Sequence, residues 1–535
     1  MLSTLTKLTP YAGLASFEHF ILHNYNRTKK FLNIVNPELL EEVSKRKALF
    51  AFRGAVDSVP AYQHFLKQNR FDPKKIRTIK DFNQLLPQTD KANYIKKYSF
   101  EQRCKEGHLP YQGNIDESGG TSGKATNWIH DFHEEELLSK AITFEYNYVF
   151  EGDKKNFIVI SAWSTGPWAT GIKFCELMER IALVKNTDTD PQEVIETLQM
   201  FGKDKNYMIG GYPPFIKNMF DDNKEKIDWK QYNIDLVTGG EGVPLEWVYY
   251  VKKMLRPGAK IVSSYGCSDI DIGIGFETPL SFFFRELAHE NEKLCSELFG
   301  KDELPMIFQY NPLVHYIREV PNEEGKPEIE ITQLDKKAAV SKIKYNLHDE
   351  GKRYSYVDLI KGIERYYPHW ETEFRKRGGH LKDILHLPFL CIFGRSDGTL
   401  SFDGANVFPN QIEAGILRNK ILAKITNRFK MEKKYDQRHT MQFHIYIELK
   451  KGHKPQEKLK PKYLQSILKE LLKVNPDFRE SYSKNKTIKP FITVYPFDHP
   501  LFKQDDEKSK NIYFTKKENQ ITKNSLKILN KRVKH

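Results

Sequence analysis

The chain has 535 residues, of which 39% are hydrophobic, 13% aromatic and 29% charged. At roughly 100 to 200 residues per domain it is too long for one small binding module, and its apolar content argues against wholesale disorder. The formal charge of +14 reads at first as a nucleic-acid signature. From Gln411 onward, however, 30 Lys and Arg stand against 13 Asp and Glu, whereas the residues before it carry 54 against 57. The basic excess belongs to the C-terminal part alone.

Taken in chain order, residues from about Glu41 to Tyr98 read as helices, with apolar positions three and four apart in LLEEVSKRKALFAFRGAV and with Pro60 and Pro73 as punctuation. From Asn156, short apolar runs (FIVIS, YMIGGYPPF, IDLVTGGE, KIVSSYG) alternate with helical stretches. That alternation predicts an α/β body with mainly parallel strands. Between about Thr278 and Thr332 the segments PMIFQY, LVHYIREV and PEIEITQL predict a mostly antiparallel β-subdomain. A glycine-rich boundary falls at Arg395 to Gly404, and the remainder reads as a compact, basic α+β unit ending in a lysine-rich tail. The five cysteines, Cys104, Cys175, Cys267, Cys295 and Cys391, form no C-x-x-C pair and fit neither a disulfide framework nor a thiolate zinc site. A reducing, cytoplasmic setting is expected. Neither a secretory h-region nor a run of about 18 apolar residues is present, so no membrane span is expected.

Five stretches carry residues suited to chemistry. In ESGGTSGKAT, from Glu117 to Thr126, small residues can turn backbone N–H groups inward, and Ser118, Thr121, Ser122 and Lys124 add donors for phosphate oxygens. It is not a Walker A loop, because Ser118 and Ala125 stand at positions that motif reserves for glycine and for Ser or Thr. GGEG, from Gly239 to Gly242, follows an apolar run, and such strand-end loops are where open α/β sheets bind ligands. SSYGCSDID offers Tyr265 for stacking on a base and Asp269 for a hard cation. KYNLHDEG and FGRSDG supply Asp349 and Arg395, which suit a ribose or a phosphate, or else a structural ion pair. His130 and His133 in HDFHEEE lack the H-E-x-x-H pattern of a zinc helix and read as solvated helix positions.

In this order, ESGGTSGKAT, GGEG, SYGCSD, KYNLHDEG and GRSDGTLSFDGANVFPNQIE, the chain resembles the adenylate-forming (AMP-binding, ANL) superfamily, and more narrowly its phenylacetate–CoA ligase-like branch. The resemblance spans most of the chain. It implies an N-terminal adenylation domain over residues 1–396 and a mobile α+β lid over 397–535. It also implies an enzyme that joins ATP and an acyl or aryl carboxylic acid as acyl-AMP, with Mg²⁺, and then passes the acyl group to CoA.

Residue by residue, the resemblance gives Ser118, Gly119, Gly120, Thr121, Ser122, Gly123 and Lys124 the β- and γ-phosphates. Tyr265, Gly266 and Ser268 would lie at adenine, with Gly240, Glu241 and Gly242 lining the base pocket. Asp349 and Arg395 would hold the ribose, Asp269 would contact Mg²⁺, and Asp397 would be the hinge. A lysine from the lid would close on the α-phosphate, with Lys510 the candidate and Lys508 the reserve. Trp163, Trp168 and Tyr212 would wall the acid, although ordinary core aromatics explain them equally well. The chain departs from the family at Asp269, usually Glu, at Ala125, usually Pro, and at Ser509, usually Gly. The other readings are adenylation with transfer to an amine or a carrier-protein thiol, and, from another class, a nucleic-acid-binding protein led by the basic C-terminal unit. The absence of a zinc-finger or RRM signature argues against nucleic acid as a partner.

Overall fold

The computed structural model describes residues 24–118, 126–166, 169–300, 304–323, 325–396, 398–502 and 512–513. They fall into two compact units, one running to Ser396 and the other starting at Gly398.

In the larger unit, after a helix at Tyr25–Ile34 capped by Asn24, prolines open the next two helices. Pro37 starts α1 (Pro37–Ser58) and Pro60 starts α2 (Pro60–Gln68), where a fixed φ is preorganised and the missing N–H costs nothing. Phe52, Ala55, Tyr62 and Phe65 from these helices, with Phe82 of α3 (Ile79–Leu85), bury themselves against Ile317, Ile329 and Tyr345 of the sheet. Each buried phenylalanine or isoleucine among them contributes about 1.5–3 kcal/mol of burial. A hairpin follows, β1 (Gly113–Ser118) against β2 (Thr126–Asp131), with Ser118 opposite Thr126. Asp131 then caps α4 (Phe132–Phe150) through a reciprocal capping box with Glu134, worth about 1 kcal/mol.

The strands β3 (Phe157–Ala162), β4 (Leu183–Asn186), β5 (Asn206–Gly211), β6 (Asn233–Thr238) and β7 (Ile261–Cys267) are parallel, in the order β4-β3-β5-β6-β7. The mostly exposed β4 forms the edge, whereas β3 is buried along its whole length. From β7 the same sheet continues antiparallel through β8 (Asp271–Phe276), β9 (Met306–Gln309), β13 (Phe389–Arg395), β12 (Tyr345–Tyr354), β11 (Pro327–Gln333) and β10 (His315–Pro321). The parallel strands and the expected β-subdomain are therefore halves of one 11-stranded sheet.

The extended region expected from about Thr278 begins only at Met306. Before it lie two helices, α5 (Pro279–Glu290) and α6 (Glu292–Phe299). Leu280, Phe283, Phe284 and Leu287 are buried at helical spacing, and Thr278 caps α5 with a capping box, so this run of aromatics belongs to a helix.

The smaller unit opens with the hairpin β14 (Leu400–Phe402) and β15 (Ala405–Val407). Its four-stranded sheet has the order β18-β17-β16-β19, from β16 (Thr426–Tyr435), β17 (Met441–Leu449), β18 (Phe491–Tyr495) and β19 (Ile512–Tyr513). Alternate residues of β16 and β17, among them Phe429, Met431, Phe443 and Ile445, pack with Ile412 and Ile416 of α7 (Pro409–Leu417) and with Tyr463, Ile467 and Leu471 of α8 (Leu459–Val474). No helix among the described residues is long and apolar enough to cross a membrane.

Candidate active site

The carboxyl ends of β6 and β7, the tip of β1, and the end of β13 with the middle of β12 paired to it supply the chemically competent side chains. At β7 the chain must pass close to β8. A Cβ on Gly266 would stand 2.5 Å from the backbone of Ile272, and the register shifts between Tyr265 and Cys267. Glycine is required there by space. Beyond it the chain turns, and the hydroxyl of Ser268 donates to the carbonyl of Glu117 at 3.2 Å, tying the β7–β8 turn to the hairpin.

One cluster gathers around Ser118, the last residue before the Gly/Ser-rich run. Its Oγ accepts from Lys91 Nζ at 3.1 Å and from the indole Nε1 of Trp128 at 2.8 Å. Lys91 also lies 5.2 Å from the centre of the Trp128 ring and 3.6 Å from Asp269 Oδ1. The other carboxylate oxygen, Oδ2, accepts from the Tyr345 hydroxyl at 2.6 Å. Burial, then the Asp269 charge, push that phenol well above its usual pKa, so it remains a donor. Ser118 and Asp269, far apart in sequence, are thus bridged by one lysine.

A second cluster joins Tyr265, Asp349 and Arg395. Asp349 and Arg395 are direct cross-strand partners on β12 and β13. Arg395 Nη1 donates to the Leu347 carbonyl at 2.7 Å and to Asp349 Oδ1 at 3.3 Å, while the Tyr265 hydroxyl donates to Asp349 Oδ2 at 2.5 Å. Burial and Asp349 together hold the Tyr265 phenol protonated. The Tyr265 ring stacks on Phe308, centroids 5.6 Å apart. Both carboxylate oxygens of Asp349 thus accept hydrogen bonds, Oδ1 from Arg395 and Oδ2 from Tyr265.

Trp163 and Tyr212 follow β3 and β5, the two strands at which the strand order reverses, where open α/β sheets leave a crevice. Their rings meet edge to face at 4.8 Å and both are buried. Gly240, at φ 78°, sits so close that a Cβ there would be 2.9 Å from Tyr212. The GGEG loop therefore packs directly on this pair. Gly119 to Lys124, Trp168, Asp397, Lys508 and Lys510 lie outside the described residues.

His130 is not a solvated helix position. It ends up in β2, 2% exposed, with Nε2 3.5 Å from Asp116, because the helix starts only after the Asp131 cap. Burial and the Lys173 charge push its pKa well down, so it is neutral. His133 is on α4 and pairs with Asp335 at 3.2 Å. Among the described residues no group of three or more His, Cys, Asp or Glu is arranged to hold a metal ion.

Several participants gave no signal in the sequence. Lys91 and Trp128 belong to no motif, Phe308 lies in a segment read only as a strand, and Tyr345 lies in KYNLHDEG without being singled out there; all four reach the site by tertiary contact. So does His348, at φ 59°, whose ring contacts Glu328 at 3.1 Å and Asp90 at 3.8 Å. Hydrogen bonding to Asp90 raises its pKa despite burial. Ser396 donates its hydroxyl to the same Glu328 and its N–H to the His348 carbonyl at 2.9 Å. The last described residue of the larger unit is thereby pinned to β11 and β12.

Among solved structures, the chain is similar to a 2-hydroxyisobutyryl-CoA ligase in complex with 2-HIB-AMP and CoA in the thioesterification state. The two share 12% identity over 86% of this chain and 87% of that one, with a TM-score of 0.57. This chain has the same fold. The α/β architecture of the adenylating enzymes, expected from the sequence, is the one observed. Weaker likenesses are to the amide bond synthetase McbA from Marinactinospora thermotolerans (10% identity, 71% and 65% coverage, TM-score 0.42) and to a double mutant of o-succinylbenzoate CoA synthetase from Bacillus subtilis (13%, 83% and 78%, 0.43). No protein-family model matches the chain, and no curated protein sequence does.

Proposed function

We propose that the protein is an ATP-dependent carboxylate ligase that forms an acyl-AMP and pyrophosphate and then transfers the acyl group to CoA. One observation carries this reading. Within a fold shared with a CoA ligase, a nucleoside-type cluster (Tyr265, Asp349, Arg395) and a phosphate-type cluster (Ser118, Lys91, Asp269) both hang on β7 and its turn, four residues apart at Tyr265 and Asp269.

In the first half-reaction the substrate carboxylate attacks the α-phosphorus and the bond to pyrophosphate breaks. A carboxylate needs no activation by a base. It does need its approach to a polyanion offset and oriented, so catalysis rests on positioning and charge neutralisation. Asp349 accepts from the ribose hydroxyls and Arg395 fixes Asp349. Tyr265, its ring stacked on Phe308, lies at adenine. The loop from Ser118 to Lys124 cradles the phosphates, and Lys91 adds a cation at its foot. The single carboxylate of Asp269, partly reachable and held by Tyr345, suits Mg²⁺, which usually takes one or two carboxylates plus phosphate oxygens. That ion, when bound, supplies neutralisation of the phosphate charge. Lys510, with Lys508 in reserve, closes from the 397–535 lid onto the α-phosphate, with Asp397 as hinge. Trp163, Trp168 and Tyr212 wall an aryl or acyl acid, as in the phenylacetate–CoA ligase-like branch. In the second half-reaction the CoA sulfur attacks the acyl carbonyl and AMP leaves.

The test is pyrophosphate release over a panel of aryl and fatty acids, with and without CoA. Release that depends on one class of acid, followed by CoA-dependent AMP release, is expected. Release without discharge by CoA would move the acceptor to an amine or a carrier-protein thiol.

A further inference from the structure

A cavity of about 240 Å³ lies away from both clusters, between α1, α3 and the outer strands β10 and β12. It opens beside Arg353, four residues beyond Asp349 on β12, a separation of about 13 Å along a strand. Its volume falls below the roughly 300 Å³ at which drug-sized sites begin, so its occupant is small.

Three cations reach the cavity from three different elements: Lys45 from α1, Arg318 from β10 and Arg353 from β12. Arg353 commits Nη2 to Glu41 at 2.5 Å and Nε to the Tyr310 hydroxyl at 3.0 Å. Arg318 commits only Nη1, to Glu330 at 3.0 Å and to the Asn83 carbonyl at 3.2 Å. A guanidinium carries five N–H donors. Among the described residues, Nη2 and Nε of Arg318 and Nη1 of Arg353 therefore remain for a further acceptor. Ser44 lines the same cavity, is 3% exposed, and its Oγ has no hydrogen-bond partner among the described residues. A buried hydroxyl left unpaired costs about 1–3 kcal/mol, and an acceptor in the cavity would relieve that cost.

Cationic side chains outnumber carboxylates in the lining by three to two, so the cavity suits an oxyanion. Its charge selects which kind. Glu41 and Glu319 also line it, so the three cations leave a net charge of +1. That balance suits a single negative charge, whereas a phosphate dianion would face two carboxylates. Planar guanidinium edges match the two oxygens of a carboxylate. We propose that this cavity is an accessory binding site for a small organic monocarboxylate, distinct from the nucleotide clusters.

The test is calorimetric titration of the full chain with benzoate and, in parallel, with inorganic phosphate, for the wild type, Lys45→Glu and Arg318→Met. Lys45 is half-exposed and among the described residues pairs only with Glu42, so its replacement spares the fold, whereas Arg318→Met leaves the buried Glu330 without its arginine. Saturable benzoate binding is expected, weakened tenfold or more in both variants and not matched by phosphate. Acid-dependent pyrophosphate release should stay within about twofold of wild type in Lys45→Glu, which separates this site from the proposed acyl site. Benzoate isotherms unchanged in Lys45→Glu, or phosphate binding more tightly than benzoate, would overturn the proposal.

Discussion

Asp349→Asn is the sharpest perturbation of the nucleoside cluster, because it changes charge and hydrogen-bond polarity at nearly constant volume. Asp349 accepts from Tyr265 at 2.5 Å and from Arg395 at 3.3 Å. Hydrogen bonds to a charged group are worth about 1.5–3 kcal/mol, against about 0.5–1.5 for neutral ones, so the Tyr265 bond weakens by about 1 kcal/mol. The ion pair with Arg395, whose side chains are 13% and 32% exposed, adds about 1 kcal/mol at most after screening. Two ribose hydroxyls would lose a charged acceptor, and one would meet an amide N–H₂ in place of an oxygen. The Tyr265 and Arg395 contacts are internal and bear on the fold; for ATP recognition the two ribose bonds to a charged acceptor lose about 1–1.5 kcal/mol each, or about 2–3 kcal/mol together, roughly 30- to 150-fold in kcat/KM. Pyrophosphate release with ATP and with 2′,3′-dideoxy-ATP provides the assay. Wild type should prefer ATP strongly, and the variant should lose most of that preference while melting within a few degrees of wild type. An intact fold with ATP kinetics and ribose discrimination unchanged would refute the assignment of Asp349.

Lys91→Met removes the cation that bridges Ser118 and Asp269, and the KM for ATP should rise about fivefold, corresponding to about 1 kcal/mol; an unchanged KM would reduce Lys91 to a scaffold contact. Lys510→Ala should depress acyl-AMP formation while nucleotide binding persists, and an inert Lys510 with a critical Lys508 would shift the role by two residues. In the smaller unit, burial raises the Asp403 carboxyl to about 6, and the residue sits at φ 47° with Oδ1 unpartnered among the described residues. Because the folded pKa lies above the unfolded one, its contribution falls as pH rises from about 4 to 6 and then stays low. Asp403→Asn tolerates that φ and should raise stability by about 2 kcal/mol at pH 7 with little change at pH 4; equal effects at both pH values in thermal melts would contradict the burial argument.

The parts of the site that were legible in the sequence are those written as contiguous runs. Tyr265 and Asp269 share one turn and Gly240 sits in a loop after an apolar strand, so the runs that carry them stand out, while the roles proposed for them come from the family resemblance. Asp349 and Arg395 could be named singly, yet either a ligand role or an ion pair fitted them until the β12–β13 register set them opposite each other. Lys91, Trp128 and Tyr345 were invisible for a physical reason. Their roles arise from contacts across long sequence separations, and nothing local marks a lysine that will meet Ser118 or a phenol that will meet Asp269. The misreadings were local as well. The H-x-x-H spacing suggested one helix through His130 and His133, but Asp131 is a better cap than an interior residue and places the boundary between them. The extended region drawn from Thr278 rested on strands that begin only at Met306, and the aromatic run after Thr278 is buried at helical spacing.

Acid-dependent release of pyrophosphate from ATP, followed by AMP release on adding CoA, tests the central claim most directly. The account predicts pyrophosphate formation with one class of carboxylic acid and stoichiometric AMP once CoA is supplied. An acid panel that yields no pyrophosphate above background from folded, ATP-binding protein would contradict it.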